Sequence, residues 1–257
     1  MKKVEDMHLV QKKWLTPQIV QMTLKGGLVL QMNRPGQFVH LRVPDGSTLL
    51  RRPISIHAID QEELIFDVIF RIEGKGTKLL SKLTVGDTIH VMGPLGNGFP
   101  VSVPQVQSGN TACLIGGGIG IPPLYELSKQ LKQKGMQVIH ILGFGSEKEC
   151  ILEDAFMKLG QTLISTVDGS KGTHGFVTDI LKDKDIQADI YYSCGPVPMF
   201  SALEALNLPA PVYVSYEERM ACGMGACYAC VCKNKNQEGY KRICKEGPVF
   251  QAGEVEI

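Results

Sequence analysis

Five of the eight cysteines of this chain fall between Cys222 and Cys244. Residues 222–230 read CGMGACYAC, so Cys222, Cys227 and Cys230 are spaced C-x4-C-x2-C, and Cys244 follows after 13 more residues. Plant-type [2Fe–2S] ligation uses this spacing with a distant fourth cysteine. Three thiolates from one tight loop wrap one side of such a cluster, and the fourth must come from elsewhere. Gly223, Gly225 and Ala226 keep the loop small, so that backbone N–H groups approach the sulfurs and help to set the potential. Cys222, Cys227, Cys230 and Cys244 are therefore the expected ligands, and electron transfer the expected chemistry. Two other readings stay open. Four thiolates also hold structural zinc, although zinc ribbons usually pair two short C-x2–4-C hooks, and the cysteines can be unligated. Cys232 breaks the plant-type spacing and is expected to be a non-ligand. Cys113 and Cys150 read as small buried hydrophobes.

A second chemistry-bearing stretch is GGGIGIPP at residues 116–123, directly after the apolar run Ala112–Ile115. A glycine turn between a strand and a helix presents backbone N–H groups suited to a diphosphate. The match to G-x-G-x-x-G is imperfect, because position 121 is Ile, and no clear acidic residue ends the next strand. Cys194-Gly195-Pro196 follows another expected strand and precedes a helix. Two such turns at the carboxyl ends of parallel strands can line one crevice. A third group lies upstream. Arg51-Arg52-Pro53-Ile54-Ser55 stands at a strand start, where a fixed arginine can grip phosphate and a serine can reach a heterocycle. Gly74-Lys75-Gly76-Thr77 opens a short helix but is no Walker A loop, since Gly follows the Gly-Lys pair. Taken singly, a tight turn or an ordinary surface strand explains each of these motifs as well.

Elements of two kinds must position these residues. Up to about residue 103, short apolar or alternating runs (Gln18–Leu24, Gln37–Val43, Ile54–Ile59, Leu64–Ile72, Thr88–Met92) are punctuated by Pro35-Gly36, Pro44-Asp45-Gly46, Gly86-Asp87 and Gly93-Pro94. This pattern predicts an antiparallel β-barrel, with one helix at Thr77–Lys82. From about 110 strands alternate with helices: Ala112–Ile115, helix 122–134, Val138–Phe144, helix 148–158, Thr162–Thr166, helix 176–182, Ile190–Ser193, helix 197–206, Val212–Ser215. That rhythm predicts a parallel sheet covered by helices. Pro100–Asn110 reads as the connecting linker. The expected organisation is α+β and multidomain: a barrel over 1–103, an α/β domain over 104–215 and a cysteine segment over 216–257.

The bulk composition narrows the setting. With 257 residues, 44% hydrophobic and 21% charged, the chain reads as an ordinary globular protein with substantial cores. A net charge of +1 provides no field for nucleic acid or an anionic membrane, so neither is an expected partner. Lys129, Lys132 and Lys134 fall on one expected helix and read as a solvated face. The opening MKKVEDMHLV has no apolar run behind its lysines, and no stretch of about 18 apolar residues occurs. A cytoplasmic setting is expected, where clustered cysteines point to metal rather than disulfides.

The order of motifs carries more than any one of them. A barrel with RPIS and GKGT, an α/β unit with GGGIGIPP and CGP, and a terminal C-x4-C-x2-C…C resemble the ferredoxin–NADP reductase superfamily. Within it the likeness is to the electron-transfer subunits of type B dihydroorotate dehydrogenases, over essentially the whole chain. That resemblance implies FAD on the barrel, held by Arg52, Pro53, Ile54 and Ser55, by Ile69, Phe70 and Arg71, and by Gly76 and Thr77. It implies NAD against Gly116, Gly117, Gly118 and Gly120 and against Cys194, Gly195 and Pro196. It implies the [2Fe–2S] cluster on the four named cysteines. It further implies a partner, the FMN-containing catalytic subunit of dihydroorotate dehydrogenase, two of each chain in a heterotetramer, serving pyrimidine (UMP) biosynthesis. No catalytic base for dihydroorotate is expected here. In the wider superfamily a tyrosine usually stands where this chain has Ile54, an aliphatic residue it shares with the dihydroorotate subunits. Subunits of hydrogenases and ferredoxin:NADP oxidoreductases are similar as well.

Overall fold

The computed structural model describes residues 3–44, 46, 48–235 and 237–256. Asp45, in one of the expected turns, lies outside the described residues. The chain begins with β1 (Lys3–Thr16), β2 (Ile19–Lys25), β3 (Phe38–Leu41), β4 (Arg52–Asp60) and β5 (Ile65–Arg71), followed by helix α1 (Lys75–Leu80) and β6 (Thr88–Leu95). These six strands close an antiparallel barrel in the order β1-β2-β5-β4-β3-β6, with β6 pairing back onto β1. Period-2 alternation sends Met22, Leu24, Phe66, Val68, Ile89 and Val91 inside, where they form one buried cluster. Each such side chain contributes roughly 1.5–3 kcal/mol relative to exposure.

The second unit begins with β7 (Thr111–Gly117) and continues α2 (Pro123–Gln133), β8 (Gln137–Phe144), α3 (Glu153–Met157), β9 (Gln161–Thr166), β10 (Thr173–His174), α4 (Val177–Asp183), β11 (Ile190–Cys194), α5 (Val197–Glu204) and β12 (Val212–Ser215). The final segment adds β13 (Val231–Asn234), β14 (Tyr240–Arg242), β15 (Val249–Gln251) and β16 (Val255–Glu256). The seven-stranded sheet runs β10-β9-β8-β7-β11-β12-β15. It is parallel except at its edge, where β15 returns antiparallel to β12. The cysteine segment is thus stitched into the nucleotide-type sheet, and its own small sheet runs β14-β13-β16.

Three expectations are corrected. β1 was absent from the expected strands: of its 14 residues only Met7 and Leu9 are buried, so it carries little apolar signal. The helix expected over 148–158 is confined to α3, because Leu152 sits at φ 64, a left-handed conformation that ends any continuous helix through it. The linker is a packed connector. Val101, Val103 and Val106 lie against the core of the second unit, and the Tyr192 hydroxyl donates to the Pro100 carbonyl at 2.7 Å.

The two units share a wall. Ile19, Ile69 and Phe99 belong to the same buried cluster as Leu114, Ile121 and Leu124 of the α/β unit. At the seam His57 of β4 is bonded to the Pro122 carbonyl at 2.8 Å and stacks on Tyr125. The Glu126 carboxylate accepts the Ile59 N–H at 3.1 Å. These bonds tie the start of α2 to β4 and fix the glycine turn against the barrel. No helix among the described residues is long and apolar enough to cross a membrane.

Candidate functional site

Two cavities open along that seam. The smaller, about 210 Å³, lies between the barrel and the end of β12. Pro53, Ile54 and Ser55 of β4 line one side, with Ile69, Phe70 and Arg71 of β5 and Thr77 of α1. These strand ends face the cavity because β4 and β5 are antiparallel neighbours in the barrel. The volume is below the ~300 Å³ at which small-molecule sites usually begin, so it suits a flat heterocycle and not a whole dinucleotide. The Thr77 hydroxyl accepts the Glu73 and Gly74 N–H groups at 3.1 and 3.2 Å, which fixes the start of α1. Arg52 does not line the cavity. Its guanidinium lies over Gly76 and donates to the Leu50 carbonyl at 2.6 Å.

The larger cavity, about 640 Å³, lies at the carboxyl ends of β7, β8, β9 and β11. Gly117, Gly118 and Gly120 line it together with Gly195 and Pro196, so the structure brings the two expected turns together. A Cβ on Gly117 would stand 3.0 Å from Pro196 Cδ. Gly116 and Cys194 lie behind this surface. Cys194 is fully buried, and burial, with the Glu217 charge second, pushes its thiol well up. It stays a neutral thiol, without the character of a base.

The two cavities have Arg71, Glu73, Ile119 and Glu217 in common. Burial raises the Glu217 carboxyl, and the neighbouring Glu73 adds to the effect. Tyr216, Glu217 and Glu218, with Phe38 and Met220, complete the smaller cavity and were not foreseen. They follow β12, so the rule that open α/β sheets bind ligands beyond the carboxyl ends of their strands flags this turn.

The cysteine loop adjoins the smaller cavity. Phe38, Tyr216 and Met220, all on the cavity wall, pack with Cys230 and Cys244 in one apolar cluster. The thiols come together in pairs. All are free thiols: Cys222 is hydrogen-bonded to Cys227, and Cys244 to Cys230. Among the described residues no three His, Cys, Asp or Glu side chains converge as for a single ion. The Cys222 sulfur accepts N–H groups from Ala226, Cys227 and Met224 at 3.3, 3.4 and 3.5 Å. Burial opposes ionisation of Cys222, but these N–H groups overcome it and bring the thiol down to about 6. Burial, with the Cys230 hydrogen bond second, pushes Cys244 up to about 12. Cys232 turns elsewhere: its thiol donates to the Lys241 carbonyl at 3.4 Å. Arg242, another residue that spacing alone does not mark, donates to the Gly225 carbonyl at 2.8 Å and lies over the Tyr228 ring.

His40 of β3 is wholly buried beside this loop. Burial, aided by the Arg51 charge, holds its imidazole down to about 4.

Fold and site define a flavin- and iron–sulfur-type oxidoreductase of ferredoxin-reductase architecture. Residues 7–99 match the family described as the oxidoreductase FAD-binding domain, and residues 217–256 the iron–sulfur cluster binding domain of dihydroorotate dehydrogenase B. The chain belongs to the family of dihydroorotate dehydrogenase B (NAD(+)) electron transfer subunits. It is 51% identical over 255 residues to that subunit of Bacillus mycoides (strain KBAB4), covering 98% of each chain. It is 50% identical over 256 residues to that of Lysinibacillus sphaericus (strain C3-41), again over 98% of each. Among solved structures it matches a chain of an NADH-dependent reduced ferredoxin–NADP oxidoreductase with a TM-score of 0.86 and 31% identity, over 97% of this chain and 89% of that one. A ferredoxin NADP+ reductase from Neisseria gonorrhoeae shares the fold at 18% identity, TM-score 0.66, over 84% and 95%.

Proposed function

We propose that this chain takes electrons from the FMN-containing catalytic subunit of dihydroorotate dehydrogenase and delivers them to NAD+, in the cytoplasm, as a step of pyrimidine (UMP) biosynthesis. The assembly is a heterotetramer with two copies of each chain. One observation carries the reading: three candidate sites adjoin in a row. Phe38, Tyr216 and Met220 join the cysteine pairs to the smaller cavity, and Arg71, Glu73, Ile119 and Glu217 join that cavity to the larger one.

When bound, a [2Fe–2S] cluster supplies single-electron transfer, FAD exchanges single electrons for pairs, and NAD+ takes up a hydride. The residues divide the work. Cys222, Cys227, Cys230 and Cys244 would hold the cluster, and their gathering as two hydrogen-bonded thiol pairs fits a group that takes four thiolates. Pro53, Ile54, Ser55, Ile69 and Phe70 seat the flavin ring. Arg52, Gly76 and Thr77 hold its phosphates, with Arg52 already resting on Gly76. Gly117, Gly118, Gly120, Gly195 and Pro196 receive the nicotinamide nucleotide, while Gly116 and Cys194 brace that surface from behind. Arg71 serves both cavities, its Nη2 3.5 Å from where a Cβ on Gly118 would stand. The functional division is barrel 1–103 for flavin, 104–215 for nucleotide and 216–257 for the cluster, with β15 anchoring the last to the second.

Anaerobically purified protein tests the cofactor reading through iron, sulfide and flavin analysis with an absorption spectrum. Iron with labile sulfide and FAD is the expected result, whereas a colourless zinc protein refutes it. Mixed with the FMN-containing subunit, the chain is expected to form a complex of two copies each and to reduce NAD+ with dihydroorotate. Reduction of NAD+ by reduced ferredoxin but not by that mixture transfers the assignment to a ferredoxin-linked oxidoreductase.

A further inference from the structure

His40 is a buried polar side chain that the proposed roles leave unexplained. Its residue is 0% exposed, and among the described residues neither Nδ1 nor Nε2 has a hydrogen-bond partner. A buried donor left unsatisfied loses its hydration without compensation, so a buried imidazole with both nitrogens unpaired calls for an explanation. Its surroundings are specific. A Cβ on Gly223 would stand 2.7 Å from His40 Cε1, 2.9 Å from Nδ1 and 3.0 Å from Nε2, so the ring lies directly against the loop backbone one residue after Cys222. Gly223 also adopts φ +66, a conformation that L side chains avoid. Its lack of a side chain is what lets the ring approach. On the other side, His40 is paired in β3–β4 register with Pro53. It lies 5.7 Å from the ring of Phe38, which packs with Cys230 and Cys244. Although this strand runs beside the flavin motif, His40 itself does not line the smaller cavity.

We propose that His40 is a positioning residue for the iron–sulfur cluster: its ring N–H is reserved for a sulfur of the cluster or of a coordinating thiolate. A donor to sulfur stabilises the more negative, reduced state, and hydrogen bonds of this kind set cluster potentials. The backbone N–H groups around Cys222 act locally within the loop. His40 acts from the barrel and couples the cluster's potential to the strand that carries the flavin motif. This inference rests on the proposed cluster assignment.

The test uses the intact chain, with its cluster, labelled with 15N-histidine and reduced. Pulsed EPR is expected to detect a weak 15N coupling to the cluster that disappears in His40→Gln. A cluster signal without 15N coupling overturns the role of His40 and leaves the cluster assignment standing. Absence of iron, sulfide and a reduced-cluster signal in the parent chain overturns both. In a redox titration, His40→Phe is expected to make reduction of the cluster three- to tenfold less favourable, up to about 59 mV for one electron, with the FAD midpoint unchanged. An unmoved cluster midpoint, or a shift in FAD alone, refutes the proposal. Because the 15N measurement is made on the parent protein, it decides the matter even where a variant fails to fold.

Discussion

The backbone of Gly120 abuts the carbonyl of Cys194: a Cβ on Gly120 would stand 2.5 Å from that oxygen and 2.6 Å from the Gly195 nitrogen. The glycine turn after β7 and the CGP turn after β11 therefore meet backbone to backbone. Neighbouring strands alone do not produce this contact. It needs a residue without a side chain at position 120, one residue before Ile121, where the chain departs from G-x-G-x-x-G.

Gly120→Ala is accordingly expected to destabilise the chain by about 1–3 kcal/mol, the usual cost of overpacking, and to weaken nicotinamide-nucleotide binding. The obstructing atoms are backbone and cannot rotate away. Gly46→Ala, with nothing within 4 Å, is the neutral control. Denaturant midpoints and NADH titration of the two variants give the comparison, and equal midpoints would contradict the contact.

The cysteine segment makes a sharper prediction. Cys232 spends its thiol on the Lys241 carbonyl, while Cys244 is paired with Cys230. Cys232→Ser should retain iron and sulfide at parental levels, because serine can keep the bond to that carbonyl. Cys244→Ser should lose the cluster or hold it weakly. Metal analysis after anaerobic purification distinguishes the two, and the opposite result redraws the ligand set.

How far the residues announced this arrangement depends on the kind of signal. Motifs with local spacing were legible: Pro53–Ser55, Ile69–Arg71 and Thr77 do meet in one cavity, and the glycine and CGP turns in another. β1 was not, since only Met7 and Leu9 are buried, while Val4, Val10 and Trp14 lie exposed among its charged and polar residues and blur the period-2 alternation. Tyr216 and Glu217 have no motif; they matter because β12 ends where both cavities begin. His40 is a lone histidine in a short strand, and its contact with Gly223 joins positions far apart in the chain, which no local pattern encodes.

Glu217 offers a prediction with a definite sign. Its folded-state pKa is raised, by burial first and by Glu73 second. Such a carboxyl favours folding below its unfolded pKa of about 4.3 and penalises it as pH rises through the folded value. Glu217→Gln removes the penalty. Glu217 is also open to solvent, which screens the effect, so the variant is expected to match the parent near pH 4 and to be only slightly more stable at pH 7. Thermal scans of the cofactor-free chain at the two pH values provide the measurement. A variant less stable than its parent at pH 7 would mean that the ionised carboxylate is favourably bound.

His140 has the opposite sign. It is fully buried between Ser128, whose Oγ is 2.7 Å from Nε2, and Thr162, whose Oγ1 is 3.0 Å from Nδ1. These two hydroxyls satisfy a neutral ring, one as donor and one as acceptor. Burial lowers the imidazole to about 4, against an ordinary value of 6.5. Between those limits the unfolded chain binds a proton that the folded chain refuses, so stability is complete above pH 6.5 and falls as the pH drops toward 4. One such group contributes a slope of about 1.4 kcal/mol per pH unit within the window. His57, also buried and lowered, adds to the same slope. Urea unfolding between pH 4.5 and 7 should show this acid loss, and His140→Gln should reduce the slope by one proton while costing stability at pH 7. Parallel slopes for parent and variant would show that His140 accepts its proton in the folded chain, and would require Ser128 and Thr162 to support the charged ring.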